Sequence, residues 1–298
     1  MILKRTLPIL CVLDLIYGVS GYEEASGEMP EGWTENIEGC EGARSPNSVF
    51  NEYRCYHAHM YFVPFKIEVL NINPPLLIFH KLFSAKHCKE FLEMTKEKQL
   101  ETVTVQDNEK SDQTSKTRVA NGSWVDHFEN PIAEATYLKI QSRINVIDFS
   151  EAEKFQVLQY FPGGHYAPHY DYLEYLDEYW QTRGNRIATF LAIMKTAEGG
   201  GGTVFPHMGI TIQPHPGDAI LWYNMDPSGE KAFNSLHGAC PILKGEKLGA
   251  TLWVRVYGQE FISLCPLEKG KPYDYRNIVK PVKRWLDPYL LKAFPIGV

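Results

Sequence analysis

The hydrophobic and polar positions change rhythm several times along the chain, and each change marks a segment. After the basic start Met1-Ile2-Leu3-Lys4-Arg5, residues Thr6 to Gly21 are apolar and end in the small residues Val19-Ser20-Gly21. That order predicts a secretory signal peptide over residues 1–21. Asp14 interrupts the run, which leaves an uncleaved anchor or a plain N-terminal strand open, although the run is short for a bilayer span. Residues 22–65 are rich in Gly, Glu, Pro and Asn without a period and read as an irregular leader. Helical signals follow. Ser84 can cap a helix running through Cys88, Phe91, Leu92 and Thr95 to about Leu100. Asn130-Pro131 is a second helix start, with Ala133, Tyr137, Ile140 and Ile144 on one apolar face. Between them, Gln106 to Thr117 contains no apolar residue and reads as a mobile loop. After Ser150 the pattern turns to short β-type runs: 155–161, 187–194, 210–213, 219–222 and 248–257, each bounded by Gly, Pro or Asp. Helices followed by many short strands predict helices buttressing a β-sandwich or jelly roll.

Composition narrows the partners. A chain of 298 residues buries a full core without disulfide staples, and a formal charge of -6 argues against nucleic acid or an anionic membrane as the main partner. Outside Cys11 in the leading apolar run, the cysteines are Cys40, Cys55, Cys88, Cys240 and Cys265. Cys40–Cys55 and Cys240–Cys265 bracket local segments and make two bridges of several that spacing leaves open. Cys88 lies on the apolar face of a helix and reads as a buried thiol. Asn121-Gly122-Ser123 is a glycosylation sequon, usable only in the secretory pathway. The C-terminus is not a KDEL-type signal.

The candidate chemistry lies in GGHYAPHYDY, residues 163–172. His169 and Asp171 stand two apart, so on an extended segment both point to one face and can converge on one cation. A distant histidine would complete the set of two imidazoles and one carboxylate that suits iron(II) and leaves positions open. His237 is the best third ligand; His165 is too near in sequence, and His207 and His215 sit beside prolines in turns. The plain alternative for His237 is a satisfied core or surface histidine. Lys247, ten residues after His237, could bind the far carboxylate of a dicarboxylate, or could simply face solvent beside the Gly245 turn. Tyr160, Thr203 and Trp253 lie on runs expected to line the same pocket. Gly199 to Gly202 is a turn, not a phosphate loop, and DYLEYLDEYWQTRGNR (171–186) reads as a solvated loop or short helix over the site, with substrate recognition as the alternative.

From Phe155 to Phe261 the chain resembles the catalytic region of prolyl 4-hydroxylases, iron(II)- and 2-oxoglutarate-dependent oxygenases. The matching segments are FQVLQYFPGGHYAPHYDY, GNRIATFLAIM, GGGGTVFP, GDAILWYN, LHGACPILKGEKLGATLWVR and GQEF, in the family's order and spacing. TRVANGSWVDHFENP and the CEG…CYH cysteine pair extend the likeness toward the collagen-modifying branch. The resemblance implies an α+β, mainly β fold: a double-stranded β-helix (jelly-roll) core buttressed by helices, with a catalytic domain over 66–262 (core 155–261) and a C-terminal tail over 263–298. It implies iron(II) on His169, Asp171 and His237, and 2-oxoglutarate on Lys247, Tyr160 and Thr203. Tyr166, Arg186 and Trp253 align with the peptide groove, and Cys40–Cys55 and Cys240–Cys265 with bridged pairs. Implied with them are L-ascorbate, endoplasmic reticulum location, hydroxylation of peptidyl proline at C4 and a Pro-rich or collagen-like substrate. The collagen enzymes carry a long N-terminal region for which this chain has no room, which leaves collagen itself and a protein disulfide isomerase subunit open. The alternatives are an oxygenase with another target and a catalytically silent module that binds Pro-rich peptides.

Overall fold

Alternation of side chains on a few long strands places the site. The computed structural model describes residues 32–33, 37–41, 54–60, 63–98, 100–102, 117–144, 147–175, 178–259 and 271–273. Strands are numbered in chain order. The larger sheet contains β1 (Arg54–Met60), β2 (Val63–Ile72), β3 (Pro75–His80), β4 (Glu101–Thr102), β6 (Asn121–Val125), β7 (Phe155–Tyr160), β9 (Arg186–Lys195), β13 (Ala219–Tyr223) and β16 (Lys247–Arg255). Its order is β1-β2-β3-β13-β9-β16-β7-β6-β4, and every pair is antiparallel. The smaller sheet contains β5 (Arg118–Val119), β8 (His165–His169), β11 (Thr203–Phe205), β12 (Ile210–Ile212) and β14 (His237–Ala239) in the antiparallel order β12-β11-β14-β8-β5. A short ribbon joins β10 (Gly199–Gly200) to β15 (Ile242–Lys244). The paired sheets form the jelly roll that the sequence predicts.

On β9, Ala188, Phe190, Ala192 and Met194 pack toward the helices, while Thr189 and Leu191 line a cavity. On β16, Leu248, Ala250, Leu252 and Val254 take the helix side, and Lys247, Thr251 and Trp253 the cavity side. Both faces of this sheet are covered, which is why these strands read as continuous apolar runs. A second cluster, including Ile78, Phe205, Ile212 and Trp222, fills the space between the sheets.

The buttressing helices are Ala85–Glu97 and Pro131–Arg143. Both caps are those expected: the Ser84 hydroxyl accepts from the His87 amide at 3.2 Å, and the Asn130 side chain from the Ala133 amide at 2.9 Å. The first helix stops at Glu97, short of Leu100. Phe91 is fully buried, its ring edge-on to Phe155 at 6.5 Å. Cys88 is a buried free thiol, as read from the sequence.

Two expectations change. The strand Arg54–Met60 and the start of the strand from Val63 lie inside the segment read as irregular leader. RCYHAHM is an edge strand with no apolar period to betray it. The disulfide runs Cys40–Cys240, across 200 positions with Cα atoms 5.7 Å apart, which rules out both Cys40–Cys55 and Cys240–Cys265. The local pairings weighed chain distance alone. In the fold, Trp33, Ile37 and the short helix Glu38–Glu41 pack on Ala167 and Val204 of the smaller sheet and on Cys240 just after β14, so a distant partner is the near one. The signal segment 1–21, the loop 106–116, Cys265 and the tail 274–298 lie outside the described residues. Among the described residues no helix is long and apolar enough to cross a membrane.

Candidate metal and dicarboxylate site

His169 ends β8 and His237 opens the neighbouring β14, and the two sit directly opposite in the ladder. Asp171 follows two residues later and is buried. The donor atoms of His169, Asp171 and His237 all lie within 4.8 Å of one another; among the described residues this is the one such cluster. His165, His207 and His215 stand outside it.

The hydrogen bonds decide which nitrogens face inward. His169 Nδ1 bonds the Ala167 carbonyl and His237 Nδ1 the Ser235 carbonyl, both at 2.9 Å. A carbonyl only accepts, so Nδ1 carries a proton and Nε2 is the ring nitrogen aimed at the carboxylate. Those Nε2 atoms approach Asp171 at 3.6 Å (Oδ1) and 3.4 Å (Oδ2). Burial pulls the His237 imidazole down to about 4, so it is neutral at physiological pH. Burial opposes charge on Asp171, but the imidazoles facing it hold its carboxyl below the usual range. Two imidazole nitrogens and a carboxylate oxygen converging in this way make a donor set that fits iron(II).

Lys247 lies in the same cavity, 3% exposed. Its ammonium donates to the Gly201 carbonyl at 2.8 Å and the Thr203 hydroxyl at 3.2 Å. Among the described residues no carboxylate pairs with it, and burial pulls it down to about 8. Gly201 has a left-handed φ of +72°, and a side chain there would meet Ile242 at 2.6 Å, so only glycine presents that carbonyl to Lys247. Tyr160 pairs across from Lys247 in the ladder, is buried and lines the cavity, and burial pushes its hydroxyl well above the ordinary range. The structure thus places Lys247, Thr203 and Tyr160 in the lining of one cavity together with the clustered His169, Asp171 and His237.

The groove residues divide. Tyr166 stacks on the His169 ring at 3.6 Å, beside the metal donors, with the Arg118 guanidinium 5.1 Å from its centre. Trp253 lines the cavity; Arg186 does not. The Arg186 guanidinium forms two bonds to buried Glu153, at 2.7 and 2.9 Å, and lies 3.8 Å over Trp253, so it acts on the cavity through that ring. Asn121 is half-buried within β6. Tyr170 turns away from the donors, its hydroxyl bonded to the Phe233 carbonyl at 3.1 Å.

Sequence reasoning missed Thr189, Thr251, Gln156 and Asn224. The first three line the cavity, and Asn224 stands behind Thr189. Their signal was present: each is a polar residue interrupting or ending an apolar β-run, a position that demands a buried partner.

Residues 155–255 match the model of the 2OG-Fe(II) oxygenase superfamily. The matched segment holds every donor described above. Its curated relatives are more specific. Prolyl 4-hydroxylase subunit alpha-1 of Rattus norvegicus is 36% identical over 202 residues, 66% of this chain and 37% of that protein. Prolyl 4-hydroxylase subunit alpha-2 of Caenorhabditis elegans is 32% identical over 239 residues, 78% of this chain and 44% of that protein. The chain therefore spans less than half the length of these relatives. A solved viral collagen prolyl hydroxylase from Paramecium bursaria Chlorella virus-1 superposes with a TM-score of 0.47 at 26% identity, covering 61% of this chain and 96% of that one.

Proposed function

We propose that the chain is a prolyl 4-hydroxylase that oxidises C4 of peptidyl proline with O2 and 2-oxoglutarate, releasing succinate and CO2. The observation that carries this reading is the pairing of a convergent His169–Asp171–His237 donor set with a buried, carboxylate-free Lys247 in one cavity. His169, Asp171 and His237 would hold iron(II). Bound there with its co-substrates, the metal supplies the oxidising chemistry: one oxygen atom goes to C4 of proline and the other to succinate.

The chain's own residues bind and orient. Lys247, Thr203 and Tyr160 take the far carboxylate of 2-oxoglutarate, and the Nδ1 bonds to Ala167 and Ser235 aim both imidazoles inward. Leu158, Leu191 and Trp222 wall the cavity and exclude water. Trp253, pressed in place by Arg186, and Tyr166 receive the peptide. No side chain is needed as a general base. We extend the reading to Pro-rich or collagen-like secreted proteins as substrates, L-ascorbate as reductant, a protein disulfide isomerase partner, a signal peptide over 1–21, an endoplasmic reticulum location and a glycan on Asn121. The signal-peptide pattern, the sequon and the names of the relatives support these. Succinate release from 2-oxoglutarate with iron(II) and a Pro-Pro-Gly or poly-Pro peptide tests the proposal. Wild type should turn over and His169→Ala should not; equal succinate from both would overturn it.

A further inference from the structure

Behind Asp171 runs a buried chain of hydrogen bonds with a fixed direction. The Thr189 hydroxyl lies 2.6 Å from Asp171 Oδ2, and Asn224 Nδ2 lies 2.8 Å from the Thr189 oxygen. Thr189 and Asn224 are both 0% exposed and Asp171 3%. An ionised carboxylate only accepts, so the single hydroxyl proton of Thr189 points at Oδ2. The Thr189 oxygen then needs a donor, and Asn224 supplies it with its amide nitrogen. The cost of this polarity is visible: among the described residues Asn224 Oδ1 is buried without a partner. Turning the amide round would satisfy nothing at Thr189 while its proton stays on Asp171. Asn224 is itself fixed by its backbone, whose amide donates to the Ile187 carbonyl and whose carbonyl accepts from the Ala232 amide.

We infer that Thr189, held by Asn224, is a positioning residue that makes Asp171 bind the metal through Oδ1 alone. A carboxylate oxygen engaged in a short hydroxyl bond is the weaker metal donor, so Oδ2 is withheld and Oδ1 is left to coordinate. A carboxylate free to close on the metal through both oxygens would occupy one more coordination position. The relay therefore keeps open a position that the co-substrates need. This rests on the metal assignment proposed above.

Cobalt(II) titration separates the two claims, read by the visible d–d absorption at saturation and by the dissociation constant. Failure of the wild-type chain to bind cobalt, with His169→Ala behaving identically, would remove the metal assignment and this inference with it. If wild type binds, Thr189→Val should bind cobalt about 10- to 100-fold more weakly and show an altered d–d spectrum at saturation. Thr189→Ser, which restores the hydroxyl, should recover the wild-type spectrum. Asn224→Asp, which draws the Thr189 proton away from Asp171, should shift the spectrum in the same sense and serves if Thr189→Val does not fold. A lowered melting temperature with an unaltered cobalt spectrum and affinity in both variants would reduce the relay to core packing and overturn the inference.

Discussion

Lys247 is the residue on which the dicarboxylate reading turns. It is a buried ammonium whose partners are a carbonyl and a hydroxyl, both neutral, so its charge is left for a ligand to neutralise. Lys247→Met should therefore weaken 2-oxoglutarate binding by about 30-fold or more, from the roughly 2 kcal/mol or larger loss when a buried charge partner is removed. Titration of the iron-loaded protein with 2-oxoglutarate checks this. The same residue sets a pH dependence. Burial lowers the Lys247 pKa to about 8 in the unliganded cavity, so the cation that binds is complete below that pH and lost above it. Affinity should be level at about pH 6–7 and fall about tenfold per unit above 8. An affinity that rises with pH across that window would contradict the role. In the sequence Lys247 could be seen as a candidate but not as buried, because Gly245 beside it argues equally for a surface turn.

At the level of elements, the two helices hold the sheet whose other face carries half the site. Phe91 contacts that sheet through Phe155, and Phe91→Ala should cost about 3–5 kcal/mol by opening a cavity between helix and sheet. Chemical denaturation would measure it. Both helix starts were legible because a cap is a local device, satisfied by atoms three residues away. The strands after Ser150 were legible as apolar runs, but which of their faces held the cavity was not, since both faces are buried. The Cys40–Cys240 bridge was illegible for the opposite reason: it depends on a helix docking against a strand 200 positions away. Non-reducing peptide mapping should recover Cys40 joined to Cys240, and a fragment joining Cys40 to Cys55 would contradict the fold at that point. Beneath Asp171, Thr189 and Asn224 each stood out as a polar residue in or after an apolar run, but their pairing could not be seen, since they are 35 residues apart and meet only when β9 pairs with β13.

In the whole molecule, chemistry and fold share one device, a pair of antiparallel sheets that brings strand ends together. β8 and β14 deliver the two histidines face to face, and β16 lays Lys247 beside Tyr160. The local spacing of His169 and Asp171 was visible in ten residues, whereas His237 had to be chosen from several histidines by topology. Everything proposed for the cavity rests on its carrying out iron- and 2-oxoglutarate-dependent hydroxylation of peptidyl proline at C4. Incubation of the full chain with iron(II), 2-oxoglutarate, a Pro-Pro-Gly peptide and isotopically labelled O2, followed by mass spectrometry of the peptide and of succinate, measures that reaction itself. Succinate and 4-hydroxyproline should form in equal amounts, with one labelled oxygen atom in each. Succinate and peptide both free of label, or label on any residue other than proline, would contradict it.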